Sequence, residues 1–426
     1  MSGIERKTVL PGVNLSCVYT DKFKNGLFSA YLMRSLNADD ASKNAMLADV
    51  LRRGCTSLPD METIEARLDE LYGASVSAVM RQIGETTAVG FSSFFADDRY
   101  IGRSEKILES VLSVTGQLLL DPVTRGGMLN SEYVSSEKDN LCDRIRAAVN
   151  DKRRYAVTRL RELMCADESY GVNPLGSLEK ADKITHVGLT RHYRHVLEHS
   201  PLELFYCGGA EPERVEAAVL DAFASVPRGD TERCDTEVRI DCGQTRTVKE
   251  KMDVAQGNLA IGFRLGEIMY NPDYAALSVF SAVFGGSPVS KLFLNVRERM
   301  SLCYSVGSSV DRHKGVMIVS AGISPSKYDA ATEEIFNQLD KCRRGEITEE
   351  ELEAARKYVA SSLREGADEA SVLDSYWLAR RMDGTDCTPE ELAALAECVS
   401  AEKVTEIAES VKTDMIYFLS GEESAE

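Results

Sequence analysis

Apolar and polar positions along the chain fall into two successive runs of the same elements. In GLFSAYLMRS (26–35) apolar and aromatic residues are nearly continuous, which predicts a buried strand. DASKNAMLADVLRRG (40–54) then places apolar residues at 46, 47, 50 and 51 and a glycine at its end, the spacing of a helix. METIEARLDELYG (61–73) predicts a second amphipathic helix, and ASVSAVMR and GETTAVGFSSFF alternate as a strand pair. Helical patterns cover about 105–120 and 131–164, and the run closes with a helix through TRHYRHVLEH and the strand LELFYCG.

The second run has the same parts. NLAIGFRL (258–265) is a strand, PDYAALSVFSAVFGG (272–286) and SPVSKLFLNVRERM are helices, and LCYSVGSSV with GVMIVSAGI is a strand pair. Helices through YDAATEEIFNQLDKC and EEELEAARKYVASSLRE follow, then a helix in SAEKVTEIAESVK and the strand MIYFLSG. Between the runs, VPRGDTERCDTEVRIDCGQ (226–244) is polar and lacks periodicity. The pattern predicts an N-terminal domain over 1–228, a linker over 229–245 and a C-terminal domain over 246–426. Strand pairs mixed with long helices predict an α+β fold, two α/β sandwich domains with helices packed on a mostly antiparallel sheet.

Composition narrows the function classes. A formal charge of -18 argues against nucleic acid or an anionic membrane as partner, since both select a basic face. No apolar run has the length of a membrane span, and the N-terminal residues lack a signal-peptide pattern. The 11 cysteines are scattered singly, as expected of reduced thiols in a cytoplasmic protein.

One string suggests metal chemistry. Residues 195–199, HVLEH, have the His-x-x-Glu-His form in which two imidazoles one helical turn apart share zinc and the Glu acts as base. Three features point instead to packing. Tyr193, Val196 and Leu197 make an i, i+3, i+4 apolar stripe, with His192, His195 and His199 on the neighbouring face. The matching helix of the second run, SAEKVTEIAESVK, contains no His, and nothing in the sequence supplies a third ligand. His195, Glu198 and His199 are therefore expected to be surface or boundary residues, with adventitious metal binding the lesser alternative.

With both runs laid out, the chain resembles the insulinase/pitrilysin family of metallopeptidases (inverzincins) over nearly its whole length. The resemblance is carried by ESYGVNPLGSLEKADKIT (168–185) and, more specifically, by FGGSPVSKLFLNVRERMSLCYSV (284–306). It implies two homologous domains whose facing surfaces enclose a cavity. It also implies that the family's zinc motif falls on the first helix, where Ala45 and Asp49 stand for the two His and Ala48 for the Glu base. The third ligand, a Glu on a later helix, falls at Arg144 within EKDNLCDRIRAAV (137–149). Since no His precedes residue 186, a family-type site cannot be assembled in the first half; no catalytic residue, metal or cofactor is expected in this chain.

The same resemblance assigns substrate contact to Arg297 and Tyr304, seven residues apart in VRERMSLCY, a pair able to hydrogen-bond a peptide carbonyl. Met300 and Ser301 replace the usual basic residue and Gly of that phrase. Read from the residues alone, Arg297 would pair with a carboxylate and Tyr304 would pack in the strand pair. Within the family the chain is most similar to the zinc-less subunit associated with aminopentanol modification of elongation factor P. That similarity implies a non-catalytic subunit of a heterodimer, with zinc in a related His-x-x-Glu-His-bearing partner and a peptide or protein substrate. The rival expectation is a scaffold or peptide-binding protein with no proteolytic role.

Overall fold

The structure, a computed structural model, describes residues 3–101, 106–266 and 271–421. Two compact units divide it: one of Met1–Arg146, Val172–Asp235 and Glu369–Asp386, the other of Ala147–Gly171, Thr236–Asp368 and Cys387–Glu426. Each is centred on one of the repeated runs. Each also contains a segment from the other stretch of chain, an exchange that a linear division at 229–245 does not describe.

In the first unit, β1 (Glu5–Leu10), β2 (Val13–Tyr19), β3 (Asn25–Ser35), β4 (Ser75–Ile83), β5 (Thr86–Ala96) and β8 (Leu202–Gly208) form a sheet in the order β1-β2-β8-β3-β5-β4. β6 (Thr124–Arg125) and β7 (Met128–Leu129) pair separately. The second unit has β9 (Arg246–Lys251), β10 (Gly257–Arg264), β11 (Cys303–Asp311), β12 (Val316–Ile323) and β13 (Lys412–Ser420) in the order β11-β12-β10-β13-β9. Read from the other edge, the first sheet runs β4-β5-β3-β8-β2, and the directions agree pair by pair. All neighbours are antiparallel except β2/β8 and β13/β9. The repeat of element order is thus a repeat of topology.

Continuous burial of the central strands follows from cover on both faces. Phe28, Ala30 and Leu32 of β3 pack with Met46, Leu47 and Val50 of the Ala41–Leu51 helix and with the Ile107–Leu120, His186–His199 and Pro212–Phe223 helices. Tyr31 and Met33 point the other way, where Leu378 of the Ala370–Asp383 helix covers them. In the second unit Ala260, Ile318, Met415 and Tyr417 pack against Ala156, Leu160 and Met164 of the Lys152–Met164 helix. That helix lies so close to β10 that a Cβ on Gly262 would come within 2.4 Å of the Met164 sulfur. On the opposite face Phe263 meets Phe336 edge-on at 6.3 Å between centroids. Helices therefore lie on one face of each mostly antiparallel sheet as the pattern predicts, and among the described residues one further helix packs on the other face.

The pattern predicted as one helix over 131–164 is two. Ser131–Ala147 passes through a 3-10 turn at Ala148–Asn150, and Asp151 starts Lys152–Met164 by accepting a 3.0 Å bond from the Arg154 amide. The first helix belongs to the first unit and the second to the second.

Candidate functional site

Ala45, Ala48 and Asp49 lie on the Ala41–Leu51 helix, and Arg144 on the Ser131–Ala147 helix. The structure brings these positions together. One guanidinium nitrogen of Arg144 donates to the Ala45 carbonyl at 3.0 Å and to the Asp49 carboxylate at 3.0 Å. Two turns earlier on the same helix, Glu137 is bound by Arg53 at 2.6 Å. Burial raises the Asp49 carboxyl above its ordinary pKa, Arg144 pulls it back, and the charge of Glu137 adds to the rise. These residues do not fit zinc. Two methyl groups offer no lone pair, and the one carboxylate of the motif is already paired with a cation where a third ligand is needed. The ion pair joins the two helices, and its cation stands where metal binding would require a neutral or anionic ligand.

HVLEH occupies the last turn of the His186–His199 helix, whose buried face is Leu189, Tyr193, Val196 and Leu197. His195 Nε2 lies 3.0 Å from the Glu232 carboxylate, which Arg34 also binds at 2.7 Å. The Glu232 amide donates to the His199 carbonyl at 2.7 Å, and the Gly229 amide to the Glu198 carbonyl at 3.0 Å. The string thus docks residues 229–232 against the helix end. Among the described residues no three His, Cys, Asp or Glu side chains are grouped to share a metal ion.

His192, one turn earlier, is buried with Nε2 2.7 Å from Asn44 Oδ1. Burial lowers its pKa from 6.5 to about 4, against the pull of Asp40. The folded form therefore stays neutral while the unfolded chain protonates. Its contribution to stability is complete above 6.5 and is lost as pH falls from there to about 4. The loss is expected to reach about 3 kcal/mol. Urea unfolding of the wild type and His192→Gln across this range checks it; the variant should lack that part of the slope.

Arg297 and Tyr304 are brought together in the second unit, where both line a recess of about 390 Å³ with Glu298, Ser301, Ser324 and Lys327. The recess forms where the π-helix Leu292–Arg299 turns into edge strand β11. The turn is closed by Met300 N donating to Asn295 O at 3.0 Å and Leu302 N to Val296 O at 2.9 Å. Ser301 sits at φ 51°, in the left-handed region. Glycine adopts that conformation freely, and an L-residue is strained there by about 1 kcal/mol. The Ser301 carbonyl is held by Lys327 Nζ at 2.7 Å, which steadies the turn without the glycine of the resembled phrase.

β11 carries a register shift between Cys303 and Ser305. Tyr304 is the residue left out of the pairing, and its side chain is 73% exposed. A bulge on an edge strand re-aims a side chain in this way. The expectation that Tyr304 packs in the strand pair is not met: its hydroxyl has no partner among the described residues. Arg297 does meet a carboxylate, with Nε 3.6 Å from Glu298, and its guanidinium lies over Phe293 at 4.6 Å from the centroid. Its two terminal nitrogens have no hydrogen-bond partner among the described residues. A cation and a phenol with open donors line one recess, which suits them to a peptide carbonyl or another anionic oxygen.

Sequence reasoning did not find Lys327, since 26 residues separate it from Ser301 and no local pattern marks it.

Comparison with known proteins identifies the family and the fold. The family model described as "Peptidase M16 inactive domain" matches residues 183–359. The chain is 31% identical over 99% of its length, and 99% of the other's, to a "probable inactive metalloprotease YmfF" of Bacillus subtilis. Among solved structures it is similar to a conserved protein of Enterococcus faecalis, with 25% identity, a TM-score of 0.89 and 100% of both chains covered. The fold is shared with a peptidase M16 inactive domain from Pseudomonas fluorescens, with a TM-score of 0.81, 14% identity and 98% of each chain covered. The chain belongs to the M16, insulinase-type metallopeptidase family, as an inactive homologue without the zinc motif.

Proposed function

We propose that this chain is the non-catalytic subunit of a heterodimeric M16 metallopeptidase, lending Arg297 and Tyr304 to a peptide substrate while a His-x-x-Glu-His-bearing partner supplies the zinc. One observation carries the reading: the donors of Arg297, at the end of a helix, and of Tyr304, at the bulge of the edge strand that follows it, stand open in one recess, while the zinc-motif positions hold an Asp49–Arg144 ion pair. A guanidinium and a phenol can steady the oxygen that gains charge when a peptide bond is attacked, but they supply no nucleophile. The attacking water and its activation belong to the partner.

The biological setting is the maturation of the aminopentanol modification of elongation factor P, supported by sequence resemblance. A cytoplasmic location suits a chain whose 11 cysteines are all free. No helix among the described residues is long and apolar enough to cross a membrane. The second reading, a peptide-binding scaffold, is favoured by the exposure of Tyr304, which serves binding whether or not cleavage follows.

Affinity capture with the full chain as bait, followed by metal analysis of the eluted proteins, separates the two. The heterodimer reading expects a related chain bearing His-x-x-Glu-His, with zinc in that chain. Capture of peptides or other proteins without such a chain favours the scaffold.

A further inference from the structure

The recess at Arg297 and Tyr304 holds more positive charge than contact with a peptide backbone needs. Two cations, Arg297 and Lys327, line it against the single carboxylate of Glu298, in a chain whose formal charge is -18. Its donors are also in excess. Among the described residues the terminal nitrogens of Arg297 and the Tyr304 hydroxyl have no partner, and Ser301 adds a hydroxyl, while that of Ser324 lies 3.4 Å from the Ser326 hydroxyl. Lys327 spends one of its three protons on the Ser301 carbonyl. Glu298 occupies only the Arg297 Nε edge, at 3.6 Å. Both cations act on the buried thiol of Cys303 beside the recess, which burial nevertheless pushes up to about 11. A peptide carbonyl offers partial charge and two lone pairs, and would leave most of these donors unused. A carboxylate offers full charge, two oxygens and no competing proton.

We propose that the recess lined by Arg297, Tyr304 and Lys327 binds a carboxylate of the peptide, with Lys327 as the residue that selects it. This rests on the reading that Arg297 and Tyr304 contact a peptide and adds to it a preference for acidic ligands. The carboxylate comes either from an Asp or Glu side chain or from a peptide C-terminus; the recess chemistry is the same for both. Lys327 is exposed, so the selectivity is modest in size and weakens with salt.

The test uses the full chain and four fluorescein-labelled peptides of one sequence, read by anisotropy at low and high salt. One has a central Glu and an amidated C-terminus, one a central Gln and an amide, one a central Gln and a free carboxylate, and one a central Lys and an amide. The Glu amide or the free-carboxylate form should bind about fivefold tighter than the Gln amide, and the Lys amide weakest. Which of the first two gains the advantage identifies the source of the carboxylate. Lys327→Met should erase the advantage, so that the Glu amide and free-carboxylate forms bind no tighter than the Gln amide whatever the overall affinity, and Lys327→Arg should keep it. Equal binding of all four peptides overturns the carboxylate assignment but leaves peptide contact standing. So does a Lys327→Met variant that weakens every peptide alike, since it would mark Lys327 as a support for the Ser301 turn alone. Failure of the wild type to bind any of the four overturns the peptide-contact reading and the carboxylate assignment together.

Discussion

Changing Arg297 to Ala and Tyr304 to Phe together is expected to slow peptide cleavage by the complex with the zinc-bearing partner by about 10²- to 10³-fold. For a peptide that brings no carboxylate to the recess, the loss should fall on kcat more than on KM, because donors aimed at a developing oxyanion act chiefly in the transition state. Stability decides how that result is read. Tyr304 is 73% exposed, and its hydroxyl has no partner among the described residues, so Tyr304→Phe alone should shift unfolding by no more than about 0.5 kcal/mol. Arg297 contacts Glu298 and Phe293 at a half-open surface, where such contacts contribute little. A fall in kcat without a fall in thermal stability therefore reports on the reaction rather than the fold. Steady-state kinetics and thermal unfolding of the same preparations check both, and undiminished cleavage by the double variant would remove these residues from the shared site.

The largest effect on stability is expected in the second unit, at Arg264. Its guanidinium binds Glu168 at 2.6 and 3.0 Å and Asp414 at 2.8 Å, and Lys314 binds Glu168 at 2.7 Å. All four side chains are buried. Burial alone would raise the carboxyl of Glu168, yet the bonds from Arg264 and Lys314 hold it below its ordinary value, so the ions are stabilised as ions. Among the described residues Arg264→Met leaves Asp414 with only the longer contact to half-exposed Arg246 at 3.6 Å, and should cost about 3–5 kcal/mol. Adding Asp414→Asn removes the stranded charge and should recover part of that loss. Urea unfolding of the single and double variants measures it; a cost for Arg264→Met below about 1 kcal/mol would mean the cluster is open to water.

Much of this molecule is legible in its sequence, and the reasons are local. The apolar runs of β3 and β10 announce strands covered on both faces, and the repeat of strand pair and helix announces the repeated topology. The partner helix on the second face is not legible. The Lys152–Met164 and Ala370–Asp383 helices have ordinary amphipathic patterns, and periodicity tells which side is buried but not which sheet buries it. The helix break at Ala148–Asp151 is hidden for a related reason: AVND contains neither Gly nor Pro, and the break is made by an Asp151 cap. Polar β9 has the alternation of an exposed edge and gives little signal.

At the candidate site the contrast is sharper. That no family-type zinc site can be assembled in the first half needs no structure, because no His precedes residue 186. That Arg144 and Asp49 pair with each other, and that Tyr304 leaves its ladder at a bulge, are properties of geometry. HVLEH shows the reverse case. A string with the form of a metal site holds residues 229–232 against a helix end, because its side chains meet a Glu and a backbone carbonyl there rather than a third ligand.

Reconstitution tests the central claim most directly. This chain, its His-x-x-Glu-His-bearing partner and an equimolar mixture are each assayed on one quenched fluorescent peptide, with zinc measured in every sample. The claim predicts zinc in the partner and in the mixture, none in this chain, and full cleavage only in the mixture. Cleavage by this chain alone with bound zinc, or full cleavage by the partner alone, would contradict it.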